Sequence, residues 1–299
     1  MSKPDPTRES RIRTLFSYPG SKSTMIPKYE PYFPVHHNFV SLFGGTGAEI
    51  GVKTQDSPAE TFNDLDSHVF NVFAVLRDDD LSEQLIALIE NTCNSLEEYN
   101  TCFDMLIGSF EPPSLDHAWA FLVCGNTNFV SKHPALKRSW GRHVESAPRH
   151  RIVDLPEVVM TWRERFKRVQ VDNLPWERML RKYDVASTFF FVDPPYPPCV
   201  ISAIDDEFYP NELSMAQHEE LLDALLLVEG RVMLCGYDSD LYNERLSHWT
   251  KASFKTRTRI KGVNAERVEN IWMNYEADGT QSYTNSQLVE MLQFVAVEA

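Results

Sequence analysis

The chain has few cysteines and no long apolar run. No apolar stretch approaches the roughly 20 residues of a membrane-spanning helix, and residues 1–13 lack the apolar core of a signal peptide. The cysteines form no Cys-x-x-Cys pair, so we expect neither a zinc site nor a disulfide framework. These absences favour an intracellular protein with no membrane partner and no metal. The five cysteines are Cys93, Cys102, Cys124, Cys199 and Cys235.

Positive charge is also scarce. The sequence has 29 Lys and Arg against 43 Asp and Glu, with a net charge of −14. That average argues against a nucleic-acid partner, but binding depends on where basic groups cluster. They cluster within residues 125–168, together with histidine and tryptophan. This pattern favours a surface that contacts a phosphate backbone, although a solvated face paired with acids elsewhere remains the alternative.

The most informative stretch is Phe-Phe-Phe-Val-Asp-Pro-Pro-Tyr-Pro-Pro, residues 189–198. Thr188 to Val192 is apolar, aromatic and β-branched, which predicts a buried strand. Asp193 ends that strand, and the two prolines after it cannot continue a hydrogen-bonded ladder. A carboxylate and the ring of Tyr196 would therefore lie at the carboxyl end of a strand, where ligands bind in open α/β sheets.

A second strand, Asn38 to Phe43, runs into Gly44-Gly45-Thr46-Gly47. Such a turn before a helix lets the backbone approach a ligand closely. Asp64 follows the next strand at about 20 residues, the spacing of an acid that binds ribose hydroxyls, but it could equally cap a helix. A dinucleotide motif starting at Gly45 would need glycine where Ile50 stands, so a nucleoside ligand without a pyrophosphate fits better.

The remaining pattern alternates strands and helices, which predicts a doubly wound, mostly parallel α/β sheet. We expect a short helix within 23–32, a helix over His68–Leu76, and more helix within 82–106 after a break at 78–80. Ser214 with Gln217 forms a capping box for a helix through Leu227, which Gly230 ends. Further strands are predicted at Val169–Leu174, Arg231–Cys235 and, near the sheet edge, Arg267–Tyr275, with a last helix at Ser286–Val297.

Taken together, these segments resemble the Dam-like N6-adenine DNA methyltransferases of the D12 class. That group runs glycine motif first, target-recognition insert second and Asp-Pro-Pro-Tyr last. The resemblance covers roughly residues 16–274 and is weakest in the insert. Ser21 stands where the group usually has glycine. The segments that carry the resemblance are Tyr18–Lys22, Phe43–Gly47, Asn63–Asp66, Val75–Asp78, Asp193–Tyr196 and Arg267–Asn274.

The resemblance implies a Rossmann-like, S-adenosylmethionine-dependent methyltransferase with a mainly helical, basic insert. The catalytic domain would comprise residues 14–80 and 169–280, and the target-recognition insert residues 81–168. Residues 1–13 would form a flexible arm and 281–299 a tail. The implied partner is double-stranded DNA, bound by a monomer or weak dimer at a nucleoid-associated location.

The resemblance also implies roles for individual residues. The catalytic residues would be Asp193, Pro194, Pro195 and Tyr196. The cofactor would be bound by Tyr18, Gly20, Lys22, Phe43, Gly44, Gly45, Thr46, Gly47, Asp64, Leu65, Asp172, Asn173 and Asp193. Within the insert, the candidates for DNA contact are Asn128, Lys132, Lys137, Arg138 and Arg142.

The expected reaction mechanism depends on the target group, the exocyclic amine of adenine. An exocyclic adenine amine is a poor nucleophile, because its lone pair is delocalised into the ring. Asp193 and the carbonyl of Pro194 would accept hydrogen bonds from the amine and aim its lone pair at the methyl group. The base is inaccessible in a duplex, so it must be flipped out, with Tyr196 stacking on it. No covalent intermediate is needed, which agrees with the absence of a plausible activated cysteine in the sequence.

Three alternatives stay open. An amino-methyltransferase acting on cytosine N4 or on RNA adenine would use the same tetrapeptide. A catalytically inactive DNA-binding relative would keep only the fold. A nicotinamide oxidoreductase fits worst, because the glycine pattern departs from its motif and the basic insert would have no role. The target sequence is not predicted, and a short palindrome such as GATC rests on the resemblance alone.

Overall fold

The central feature is a sheet whose strands are mostly parallel. A computed structural model describes residues 12–54, 56–128, 133–136, 140, 152–200, 210–260 and 263–280. Within these residues, seven strands form one sheet in the order β3-β2-β1-β4-β5-β7-β6. The strands are β1 (Asn38–Ser41), β2 (Ala59–Asn63), β3 (Val169–Asp172), β4 (Thr188–Val192), β5 (Arg231–Gly236), β6 (Thr250–Ile260) and β7 (Val263–Met273).

The strand order creates a switch point between β1 and β4. From β1 the chain adds β2 and β3 on one side, then returns to place β4 and β5 on the other. All these neighbours pair in parallel, whereas β7 pairs antiparallel with both β5 and β6. The carboxyl ends of β1, β2, β4 and β5 therefore lie along one edge, where doubly wound sheets bind their ligands. The predicted α/β class with a mostly parallel sheet is confirmed.

Helices cover both faces of the sheet. The α-helices are α1 (Ile26–Tyr29), α2 (Ala48–Gly51), α3 (Ser67–Arg77), α4 (Asp79–Glu90), α5 (Leu96–Leu106), α6 (Leu115–Thr127), α7 (Leu155–Phe166), α8 (Trp176–Tyr183), α9 (Met215–Leu225) and α10 (Asp240–Arg245). Every residue of β4 is buried. Phe189 and Phe191 point into one core and Phe190 and Val192 into a second, because side chains alternate along a strand.

Side-chain caps fix several helix starts. Asp66 caps α3 by accepting from the His68 amide, and Asp78 caps α4 by accepting from the Leu81 amide. The predicted break at 78–80 is thus the start of α4. The capping box of Ser214 and Gln217 is present, as its sequence pattern predicts.

Other elements differ from expectation. No position was predicted for helices α6, α7, α8 and α10 or for strand β6. Helix α9 ends at Leu225, two residues before the predicted end. Strand β7 lies near the sheet edge, as predicted, with β6 as the edge strand. Part of the stretch 251–259 in β6 alternates charged and uncharged residues, and such alternation predicts a strand. The strand predictions relied on aromatic and apolar runs elsewhere in the chain, so β6 was missed. Residues 1–11 and the predicted helix Ser286–Val297 lie outside the described residues.

The end of the basic segment folds into the core. On α7, Trp162 and Phe166 are fully buried, and Phe166 stacks on Phe73 at 4.6 Å. Both terminal guanidinium nitrogens of Arg165 donate to Glu60, at 2.6 and 2.8 Å. The expectation of a phosphate-contact surface is wrong for Trp162, Arg165 and Phe166, because these side chains complete the layer over the sheet.

The described helices of the proposed insert share one hydrophobic core with the sheet. Leu85 of α4, Tyr99 of α5, Phe121 of α6 and Trp162 of α7 belong to the same buried cluster as Phe62 of β2. The helices within 81–168 are thus packed as part of the main body in the described residues. The boundary of an insert at 81–168 stays a prediction.

We expect Glu60→Gln to destabilise the protein by about 3–5 kcal/mol, because it removes the buried acid that pairs with both Lys53 and Arg165 and leaves Arg165 only the exposed Asp56. The free energy of unfolding in urea measures the effect. The control is Glu164→Gln, which breaks the exposed pair with Lys167 and should cost less than about 1 kcal/mol. Equal losses in the two variants would contradict the prediction.

Candidate active site

A cleft opens at the carboxyl edge of the sheet, with a volume of about 290 Å³. Its lining residues come from six separate stretches of the chain. The predicted site residues that line it are Tyr18, Gly20, Lys22, Phe43, Gly44, Gly45, Thr46, Asp64, Leu65, Asp193, Pro194, Pro195 and Tyr196. Its other lining residues, which were not among the predicted site residues, include Ser21, Leu42, Glu49, Asn63, Asp66, Leu174, Trp176, Leu213 and Gln217.

The glycine turn forms one wall. The Gly44 amide donates to the Asn63 carbonyl at 2.8 Å, which ties the end of β1 to the end of β2. A Cβ at Gly44 would lie 2.1 Å from Phe62 Cε2, so no larger residue fits there. Gly47 has φ of +67° and precedes α2. It packs beneath the turn and does not line the cleft.

Asp64 closes the end of this wall. Its carboxylate accepts from the Gly45 amide at 2.7 Å and the Asp66 amide at 2.8 Å. Burial raises the pKa of Asp64 to about 7, and the neighbouring Asp66 adds to the rise. Asn173 donates to the Asp64 carbonyl at 2.6 Å, so it supports this wall from behind and does not line the cleft.

Asp172, the other residue expected near the cofactor's adenine, points elsewhere. Its carboxylate pairs with Lys182 at 3.1 Å and accepts from the Tyr183 hydroxyl at 3.2 Å. It is not among the residues that line the cleft. Leu174 and Trp176 occupy that side. Leu174 and Trp176 follow Asn173 by one and three positions, so the loop after β3 lines the cleft through residues that were not predicted.

A histidine of the basic segment braces the cleft. His133 is buried, and its Nε2 lies 2.6 Å from Asp66 Oδ2. Burial alone would raise the pKa of Asp66, but the hydrogen bond from His133 outweighs it and the pKa is lowered. The ring of His133 also meets Tyr18 edge-on, at 5.7 Å between centroids. This contact joins a residue of the basic segment to two residues that line the cleft.

Lys22 lies at the centre of the opposite wall. Its ammonium group donates to Asp193 Oδ2 at 2.8 Å, to the Tyr196 hydroxyl at 3.0 Å and to the Gly20 carbonyl at 3.0 Å. An ammonium group has three protons to donate, so all are used. Burial alone would lower the pKa of Lys22, but the Asp193 carboxylate more than compensates and holds it well above its ordinary value.

Asp193 has one oxygen held and one that lacks a partner. Lys22 binds Oδ2, whereas the buried Oδ1 has no hydrogen-bond partner among the described residues. Burial raises the pKa of Asp193 to about 6, and Lys22 limits the rise. An unsatisfied buried acceptor is uncommon and costly in a folded protein. Its place in the cleft marks it as an acceptor for a ligand.

The ring of Tyr196 is braced from behind. Tyr237, directly after β5, packs against it with centroids 4.4 Å apart and planes inclined by 41°. The Tyr237 hydroxyl donates to Glu269 at 3.5 Å, and the Tyr29 hydroxyl donates to the other oxygen of Glu269 at 2.9 Å. Glu269 lies in Arg267–Asn274, the last segment that carries the resemblance, but no pattern in the local sequence predicts its contact with the residues behind Tyr196.

The residues predicted to touch DNA are mostly not described. Lys132, Lys137, Arg138 and Arg142 lie outside the described residues. Asn128, at the end of α6, is half-buried, and its side-chain oxygen accepts from the Tyr99 hydroxyl at 2.8 Å. Asn128 therefore has a structural contact whatever its role toward DNA.

Comparison with known families bears directly on this cleft. Residues 18–107 match the D12 class N6 adenine-specific DNA methyltransferase family. The matched segment, under a third of the chain, holds Lys22, the glycine turn and Asp64, but ends before Asp193. The match to the D12 class supports an adenine-specific DNA methyltransferase. No curated protein matches the chain significantly.

Among the helices in the described ranges, none has both the length and the apolar character to cross a bilayer. The same part of the chain holds no group of three or more His, Cys, Asp or Glu side chains placed to bind a metal ion.

We expect Gly44→Ala to unfold or strongly destabilise the protein, because its Cβ would overlap the ring of Phe62. Gly45→Ala is the matched control, since its Cβ would be 3.6 Å from Tyr18, although its φ of +50° still adds strain of about 1–2 kcal/mol. Urea denaturation compares the two. A Gly44→Ala variant as stable as Gly45→Ala would contradict the proposed packing of the turn.

Proposed function

We propose that the chain is a site-specific, S-adenosylmethionine-dependent DNA methyltransferase that acts on adenine N6. In this proposal the methyl group passes directly to a flipped-out adenine, without a covalent enzyme intermediate. The observation that carries the proposal is the state of Asp193: Lys22 holds one carboxylate oxygen, and the other is buried without a partner beside the glycine turn.

The cleft suits the methyl donor. S-adenosylmethionine supplies a methyl group on a cationic sulfur. The glycine turn allows the backbone of Gly44 to Thr46 to approach a nucleoside closely, and Asp64 would accept hydrogen bonds from ribose hydroxyls. Apolar surface from Phe43, Leu65 and Trp176 is available for an adenine ring. Tyr18, Gly20 and Lys22 would close the opposite side.

Asp193 would act on the target amine. Its free Oδ1 and the carbonyl of Pro194 are proposed to accept the two N–H groups of adenine N6, which draws the nitrogen toward tetrahedral geometry and exposes its lone pair. The two prolines hold this loop rigid. Orientation of this kind can supply about 7–11 kcal/mol of barrier reduction.

Tyr196 would hold the flipped base. Stacking on an aromatic ring contributes about 1–3 kcal/mol per base, which offsets part of the unstacking cost. The hydrogen bond from Lys22 to its hydroxyl and the contact with Tyr237 fix the ring before the base arrives. Lys22 would thereby orient both the acceptor and the stacking group.

The DNA contacts belong to the same proposal. Asn128, Lys132, Lys137, Arg138 and Arg142 are proposed to contact the duplex, most of them through phosphates, which position a protein without specifying sequence. We further propose that the enzyme works as a monomer or weak dimer, at an intracellular, nucleoid-associated location.

The decisive experiment uses labelled S-adenosylmethionine with unmethylated duplex DNA, followed by nucleoside analysis. We expect N6-methyladenine from the wild type and at least about a hundredfold less from Asp193→Ala, because an unreplaced acceptor in a preorganised site costs at least that much. Asp223→Ala, at an exposed residue of α9 that pairs with Arg245 and does not line the cleft, is the matched control and should keep its activity.

Other outcomes would change the assignment. Label in cytosine, or in RNA adenine alone, would identify an amino-methyltransferase with a different target. DNA binding without any transfer would identify an inactive relative. Full activity in Asp193→Ala would refute the role of this carboxylate.

The rate should also depend on pH through Asp193. The carboxylate must be ionised to accept from the amine, so kcat/KM should fall as the pH drops through about 6. Lys22→Gln removes the charge that holds the pKa of Asp193 down, and should therefore move the acid limb to higher pH. Profiles of kcat/KM from pH 5 to 9 measure this. An acid limb that stays in place in Lys22→Gln would argue against the pairing.

A further inference from the structure

Glu49 is a buried carboxyl group in the cleft wall that the proposed mechanism does not use. It stands in the first turn of α2, directly after the glycine turn, and is 4% exposed. Ser41, the last residue of β1, donates its hydroxyl to Glu49 Oε1 at 2.6 Å. A charged side chain is rarely buried without a charged partner, and the described contacts pair Glu49 with a hydroxyl instead.

The cleft as a whole has more acids than cations. Glu49, Asp64 and Asp193 all line it, with Lys22 as the lining lysine, and the protons of Lys22 are already donated to other groups. Asp66 also lines the cleft but is paired with His133. The described part of the cleft can therefore accept further positive charge.

The groups that face Glu49 come from each neighbouring strand. Ser41 lies on β1, Asp64 follows β2, and Asp193 follows β4, while Cys235 on β5 is buried and its pKa is raised well above the ordinary value. Burial raises the pKa of Glu49 to about 8, Asp193 and Asp64 add to this, and the Ser41 hydrogen bond opposes it. Near neutral pH, Glu49 is therefore mostly protonated in the ligand-free protein.

We propose that Glu49 is the counter-charge for the cationic sulfur of the methyl donor and lets the site distinguish donor from product. The inference rests on the proposed function. A sulfonium group brought into the cleft favours the carboxylate, so Glu49 loses its proton to solvent as the donor binds. In the product the sulfur is an uncharged thioether, which gives the carboxylate no such stabilisation, and Glu49 takes a proton back.

Two thermodynamic consequences follow. An opposite charge within about 4–6 Å shifts a carboxyl pKa by 1–3 units. For Glu49 this corresponds to an affinity for the donor that is about 10- to 1000-fold higher when the carboxyl is ionised than when it is protonated. Donor binding coupled to proton release must also strengthen as the pH rises toward 8 and then level off, because above that pH Glu49 is already ionised. Product binding lacks both effects.

The experiment is isothermal titration calorimetry of wild type and Glu49→Gln with S-adenosylmethionine and with S-adenosylhomocysteine. Titrations run from pH 6 to 9, in two buffers of different ionisation enthalpy, so that proton release is counted directly. At pH 8 we expect Glu49→Gln to bind the donor at least tenfold more weakly than wild type, and to bind the product within about twofold of wild type.

Near pH 7, donor binding to the variant should release fewer protons than donor binding to the wild type. Glutamine matches the neutral carboxyl in size and should keep the fold.

Ser41→Ala provides an independent variant. It keeps the carboxyl group but removes the hydrogen bond that favours its ionised form. The pH at which donor affinity levels off should therefore move upward by a measurable fraction of a unit. A purely structural role of Glu49 would not shift this profile.

Each contrary result has a distinct meaning. Equal loss of donor and product binding in Glu49→Gln, or proton release in that variant undiminished from wild type, would overturn the counter-charge role and leave the proposed function intact. A wild-type protein that binds neither ligand would overturn the proposed function and this inference with it.

Discussion

The candidate site depends on one buried ion pair, between Lys22 and Asp193. The two residues are 171 positions apart and meet at 2.8 Å. Removing one partner of a buried pair leaves an uncompensated charge, which typically costs 3–5 kcal/mol. The pair also sets the charge state of the site: it keeps Lys22 charged and limits the rise in the pKa of Asp193. It occupies one oxygen of Asp193 and leaves the other without a partner among the described residues.

The sheet order explains why the pair can form beside the glycine turn. Strands β1 and β4 are neighbours and parallel, with Ser41 opposite Phe191, so the segments after them leave the sheet at the same edge. One strand leads to the glycine turn and the other to Asp193. After β1 the chain continues to β2 on one side, and after β4 it continues to β5 on the other side, so a crevice is left between the two loops. The D12 class match covers the first loop, and the fold brings the second to it.

Charge is distributed unevenly between the basic segment and the cleft. Two residues of the basic segment pair with acids inside the fold: His133 with Asp66, and Arg165 with Glu60. The cleft keeps an excess of carboxyl groups, of which Glu49 and Asp64 have pKa values of about 8 and 7. Such a site is suited to a cationic ligand, which is the physical basis for the proposed discrimination between donor and product.

The sequence by itself determined the features that are encoded locally. Runs of apolar and aromatic residues predicted β1 and β4, the glycines predicted the turn, and the prolines predicted the rigid loop after Asp193. Only the tertiary structure decided which side chains face one another: that Glu49 is buried in the cleft, that Asp172 turns to Lys182, and that Tyr237 braces Tyr196. Burial and pairing between distant segments depend on how strands and helices pack. Local periodicity therefore carries little information about them.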